Sequence, residues 1–135
     1  MNKEFRIGHP LAAQLLAQAR SQPNVECCGL VAGRLGVPEE IFPARNSLKS
    51  PTAYEIAPQE LFSLFRVMRE RGLDLAGIYH SHPTGDNSPS KTDIGLAYYP
   101  DIPYIIISPR HDAPRAIRAF QIAEGLVNEL EIVVV

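Results

Sequence analysis

Apolar residues recur along the chain with two different periods, and the change from one to the other marks its elements. A short strand is expected over about Glu4 to Ile7. Pro10 occupies a natural first position of a helix, after which Leu11, Leu15, Leu16 and Ala19 repeat at helical spacing until Pro23-Asn24 ends the unit. Val25 to Arg34 reads as a buried strand, with Glu39 to Ala44 as its hairpin partner across Gly36-Val-Pro38. Residues 46–53 read as a loop. Pro58 opens a second helix whose apolar stripe is Leu61, Leu64, Phe65 and Met68, closed by Gly72. Leu75 to Ser81 predicts another strand, and Ser90 to Tyr98 a short helix. Tyr104 to Ser108 is an unbroken apolar run, the pattern of a strand covered on both faces. Ala116 to Ala123 and Val127 to Val135 read as two closing antiparallel strands with Gly125 in their turn. These elements predict an α/β fold, a single mixed curved β-sheet flanked by helices.

Composition narrows the class. At 135 residues the chain is expected to be one domain spanning 1–135, large enough for a core of its own. There are no internal repeats, low-complexity tracts or linkers. A formal net charge of −2 gives no electrostatic footprint for nucleic acid. Arg66, Arg69 and Arg71 form the one loose basic group and read as a solvated helix face. No apolar run approaches a membrane span, and Met1-Asn-Lys-Glu lacks a signal-peptide core, so a cytoplasmic protein without membrane partners is expected. Cys27 and Cys28 are adjacent, cannot form an ordinary disulfide with each other, and read as small buried strand residues.

The chemistry concentrates between His80 and Asp93. His80 and His82 are two apart at the end of a strand, so both imidazoles point to one face. Pro83 keeps His82 extended and stops the strand. The turn-rich residues Thr84, Gly85, Asp86, Asn87 and Pro89 then let the chain double back and deliver Asp93 to the same point. Two imidazoles and one carboxylate make a catalytic zinc set, the fourth tetrahedral position being left for water. Taken alone, Ser90 is also a helix N-cap and Asp93 a first-turn acid. Asp86 reads as a turn residue, Glu55 and Asp74 have no evident partner, and His9 and His111 read as surface side chains.

His80-x-His82-Pro83 followed by Ser90-x-x-Asp93 resembles the signature of the JAMM (MPN+) metalloproteases. Glu26-Cys27-Cys28-Gly29-Leu30-Val31-Ala32-Gly33 is similar to the early strand of that family. Asn46 and the stretch from Ser50 to Pro58 extend the likeness to its small bacterial members. The resemblance implies the curved, cytidine-deaminase-like sheet already expected, with a zinc ion held by His80, His82 and Asp93. It implies Glu26 as general base and Ser90 as oxyanion donor; the bare sequence leaves Ser90 equally open as a cap. It further implies a protease acting on a ubiquitin-like or sulfur-carrier protein after a C-terminal Gly-Gly, with trimming and isopeptide cleavage both open. RadC-type proteins associated with DNA repair carry a similar run that Gly85 and Pro89 also fit, and non-catalytic MPN scaffolds share the fold. The acidic balance weighs against the first and the intact ligand set against the second.

Overall fold

The elements anticipated from apolar periodicity are present in the computed structural model, which describes residues 3–135. In chain order they are β1 (Glu4–Ile7), α1 (His9–Ser21), β2 (Cys28–Arg34), β3 (Val37–Ala44), α2 (Pro58–Glu70), β4 (Asp74–Ser81), α3 (Lys91–Gly95), β5 (Tyr104–Ile107), β6 (Ile117–Ala123) and β7 (Leu126–Val134). The strands form one sheet in the order β1-β7-β6-β5-β4-β2-β3. β1 runs parallel to β7 and β4 parallel to β5, while the remaining pairs are antiparallel, so the sheet is mixed as expected. It curls until its two edge strands, β1 and β3, come into contact.

Alternation along the central strands sorts side chains into two cores. On β4 and β5, Tyr79, Ile105 and Ile107 face α1, where they meet Leu11, Leu15 and Ala19. Ile78, Tyr104 and Ile106 face the other way and pack with Met68 of α2. β5 is therefore buried throughout, which is why its sequence reads as a continuous apolar run. Burying one such isoleucine contributes about 1.5–3 kcal/mol. Gly29 of β2 is required by contact: a Cβ there would collide with the Tyr79 hydroxyl and the Phe42 carbonyl. The Tyr79 hydroxyl donates to Gln18 Oε1 of α1, locking helix to sheet.

Several boundaries differ from expectation. α1 begins at His9, one residue before Pro10, with Gly8 as an extended N-cap. β2 begins at Cys28 rather than Val25, because the Glu26 N–H donates to the Ser50 carbonyl instead of to a strand. The β2–β3 hairpin turns at Leu35-Gly36, both with positive φ of 54° and 76°, so β3 starts at Val37. α3 stops at Gly95, short of Tyr98; beyond it the Tyr99 N–H donates to the Tyr104 hydroxyl at 3.0 Å. β6 begins at Ile117 and β7 at Leu126. Among the described residues, no helix is long and apolar enough to cross a membrane.

Candidate metal centre

Strand geometry assembles the site. His80 shares the α2-side face of β4 with Ile78. His82 lies one residue past the strand, yet its N–H donates to the Ile107 carbonyl at 2.9 Å, carrying the β4–β5 pairing onward. Both rings thus stay on one face. In the β2–β4 ladder Cys28 lies opposite His80, and the Ser81 N–H donates to the Cys27 carbonyl at 3.0 Å. Glu26 precedes Cys27 and lies outside the paired residues of that ladder.

Asp93 arrives from α3. Ser90 Oγ accepts from the Asp93 N–H at 3.0 Å, and Asp93 Oδ2 accepts from the Ser90 N–H at 2.9 Å, a reciprocal cap. That same Oδ2 lies 3.2 Å from His80 Nε2 and 3.1 Å from His82 Nε2, and the two ring nitrogens are 3.2 Å apart. The three atoms form a nearly equilateral triangle. Ligands bound tetrahedrally at about 2.0–2.1 Å stand about 3.3–3.4 Å from one another, so the triangle is the right size for one small ion. One ligand atom each from Glu26, His80 and His82 also lie within 4.8 Å of one another. Glu26 Oε1 is buried without a hydrogen-bond partner beside the triangle. A buried carboxylate oxygen left unpaired is costly, and a metal with a water molecule would satisfy it. The residues fit a metal.

Electrostatics separates the two acids. Burial pushes the Glu26 carboxyl up from 4.5 to about 7, against the pull of His82 and with a further push from Asp93. Burial also opposes ionisation of Asp93, but hydrogen bonds from His80 and His82 prevail and hold its carboxyl far below the usual range. Burial drives the fully enclosed His80 down, toward the neutral ring a metal ligand needs. For His82 burial is the largest single influence and lowers it, but Asp93, the Asp86 carbonyl and Glu26 together prevail and raise it.

Contacts behind the ligands orient them. His82 Nδ1 lies 2.7 Å from the Asp86 carbonyl, so it carries the proton and leaves Nε2 free for a metal. The Tyr54 ring stacks on His80 with centroids 4.5 Å apart. Next to Asp93 opens a cleft of about 460 Å³, walled by Leu30, Ile56, Leu61, Phe65, Tyr98 and Tyr99.

All five residues singled out from sequence (Glu26, His80, His82, Ser90 and Asp93) converge here. His9 and His111 are exposed and remote from the hydrogen-bonded cluster, as expected of surface residues. Asp86 does turn the chain, but its carbonyl also serves His82, a role no side-chain pattern announces. The places of Tyr54, Asn46 and Asn87 were missed too. Tyr54 and Asn46 lay within the family likeness without a role, and Asn87 looked like an ordinary turn residue.

A curled mixed sheet presenting two strand-borne imidazoles against the capping carboxylate of a short helix defines a class of protein. Residues 8–123 match the family described as prokaryotic homologs of the JAB domain. The chain belongs to that family, and its fold is that of a JAB1/MPN domain protein from Archaeoglobus fulgidus, with a TM-score of 0.62 at 21% identity. It is 35% identical over 121 residues to the CysO-cysteine peptidase of Mycobacterium tuberculosis, covering 88% of this chain and 83% of that protein. It is 37% identical over 94 residues to the desampylase of Haloferax volcanii, covering 67% and 68%. A solution structure of a protein from Desulfitobacterium hafniense superposes with a TM-score of 0.85 at 32% identity, covering 96% of this chain and 92% of the other.

Proposed function

We propose that residues 1–135 act as one zinc-dependent peptidase domain that cuts a ubiquitin-like sulfur-carrier protein after its C-terminal Gly-Gly. The observation that carries this reading is the triangle of His80 Nε2, His82 Nε2 and Asp93 Oδ2, with the unpartnered Glu26 Oε1 beside it. The relatives support the substrate class: one is named a CysO-cysteine peptidase, the other a desampylase.

His80, His82 and Asp93 would hold the ion. When bound, zinc supplies Lewis-acid polarisation and lowers the pKa of water to about 7. Glu26, raised by burial and outside the ligand triangle, takes the proton from the attacking water and returns it to the departing amine. The Ser90 hydroxyl already accepts from the Asp93 N–H, which leaves its own proton to donate to the scissile carbonyl oxygen as negative charge develops. The apolar cleft beside Asp93 suits an extended tail, and glycine at the cut lets the backbone come close to His80 and His82.

The test is a sulfur-carrier protein extended by a few residues beyond Gly-Gly, followed by mass spectrometry. Cleavage is expected at that junction, and replacing the second glycine by valine should block it. Equal cutting of the valine variant, or of unrelated unstructured peptides, would contradict the proposed specificity.

A further inference from the structure

We propose that Asn87 is the positioning residue for the His82 ligand, acting through the Asp86 carbonyl; the inference rests on the metal set proposed above. His82 stands beyond the end of β4, and its ring is oriented by the bond from Nδ1 to the Asp86 carbonyl. That carbonyl lies in an exposed turn. Thr84, Gly85 and Asp86 are all exposed, and Gly85 has a φ of +81°. A turn of this kind does not hold a carbonyl still unless something fixes it to the sheet.

Asn87 does so. It is 5% exposed, and its amide nitrogen lies 2.8 Å from the Arg115 carbonyl, 3.2 Å from that of Ile106 and 3.4 Å from that of Ala116. Two amide protons serve three acceptors, so one bond is shared. The Asp86 carbonyl and the Asn87 N–H belong to one peptide plane; anchoring Asn87 therefore sets the carbonyl that His82 reads. The anchor is also tied to the other ligand, because Ile106 is the β5 partner of His80. The other ties of the turn are weaker. Arg118 reaches Asp86 at 3.4 Å, but the Asp86 side chain is 70% exposed, and Arg110 meets the Gly85 carbonyl at the surface.

A matched control exists. Asn46 is also 5% exposed and also donates to three carbonyls, at 3.0 Å to Glu26, 2.9 Å to Ala53 and 3.3 Å to Ser50, so it anchors the backbone of the proposed base rather than a residue of the His80–His82–Asp93 triangle. The experiment compares Asn87→Ala with Asn46→Ala, using Asn87→Ser if the alanine variant does not fold. Zinc affinity is measured by chelator competition, and the bond from His82 Nδ1 by the exchange protection of its ring N–H in nitrogen-edited NMR. Loss of the anchor should weaken zinc binding roughly 10–100-fold, the usual cost of removing a partner that orients a ligand. The His82 Nδ1–H should lose its protection from exchange with water. Asn46→Ala should lower thermal stability while leaving zinc affinity and that protection near wild type. Equal zinc loss in both variants, or unchanged protection in the Asn87 variant, would overturn the proposal. A wild-type protein that bound no zinc would refute the metal set instead, and the Nδ1–H protection would still decide the role of Asn87.

Discussion

Glu26 is held against its own preference. Its folded-state carboxyl titrates near 7 rather than 4.5, so the folded protein binds this proton more tightly than the unfolded chain does. Stability from this group is therefore greatest at acidic pH and falls as pH rises from about 4.5 to about 7, by about 3 kcal/mol in all. Asp93 has the opposite sign: its depressed carboxyl contributes stability above the ordinary aspartate range and loses it on acidification. Glu26→Gln removes the first effect. In metal-free protein above neutral pH this variant should melt at a higher temperature than wild type, and the two should converge toward pH 4. The same variant should retain zinc yet turn over roughly 10²–10⁴-fold more slowly, the range for a lost general base. A variant that lost its zinc would make Glu26 a ligand instead. A melting difference independent of pH would mean that the carboxyl is not strained by burial.

The decisive element is α3, because its first turn both caps a helix and supplies a ligand. Ser90→Ala removes the hydroxyl that accepts from the Asp93 N–H, a loss of about 1 kcal/mol in stability. Asp93 still accepts from the Ser90 backbone N–H, which alanine keeps, so zinc content should be unchanged. Turnover should fall by roughly 10²–10³ if the hydroxyl stabilises the developing oxyanion; unchanged turnover would leave Ser90 as a cap alone. The ligand-bearing elements were legible in the sequence because their signals are local: alternation set His80 and His82 on one face, and the turn-rich residues before Asp93 let the chain double back. What escaped was non-local. Val25 and Glu26 look like strand residues, but a loop 20 residues on, through Asn46, holds the Glu26 carbonyl and keeps them out of the sheet. The Leu35-Gly36 turn was invisible because leucine rarely adopts positive φ. Asn87 reads as a turn former, and only the sheet beneath shows that its amide points inward.

At the scale of the molecule, the metal cluster adjoins the α2-side core, but the apolar side chains of both cores pack with one another. The side chains that hold the sheet together, from Leu15 and Tyr79 on one face to Met68 and Ile106 on the other, do not depend on a ligand atom. Removing metal should therefore abolish activity while circular dichroism still reports the folded sheet, unlike domains in which metal binding is folding. The cleft on the α2 side, whose lining includes Asp93, is the place the proposed function assigns to the protein tail. The measurement that tests the account most directly is stepwise return of zinc to chelator-stripped protein, with cleavage of the extended Gly-Gly substrate followed by mass spectrometry. The rate should rise with added zinc and level off at about one ion per chain, while His82→Ala stays inactive at the same point. Undiminished cleavage by protein shown by elemental analysis to hold no metal would contradict it.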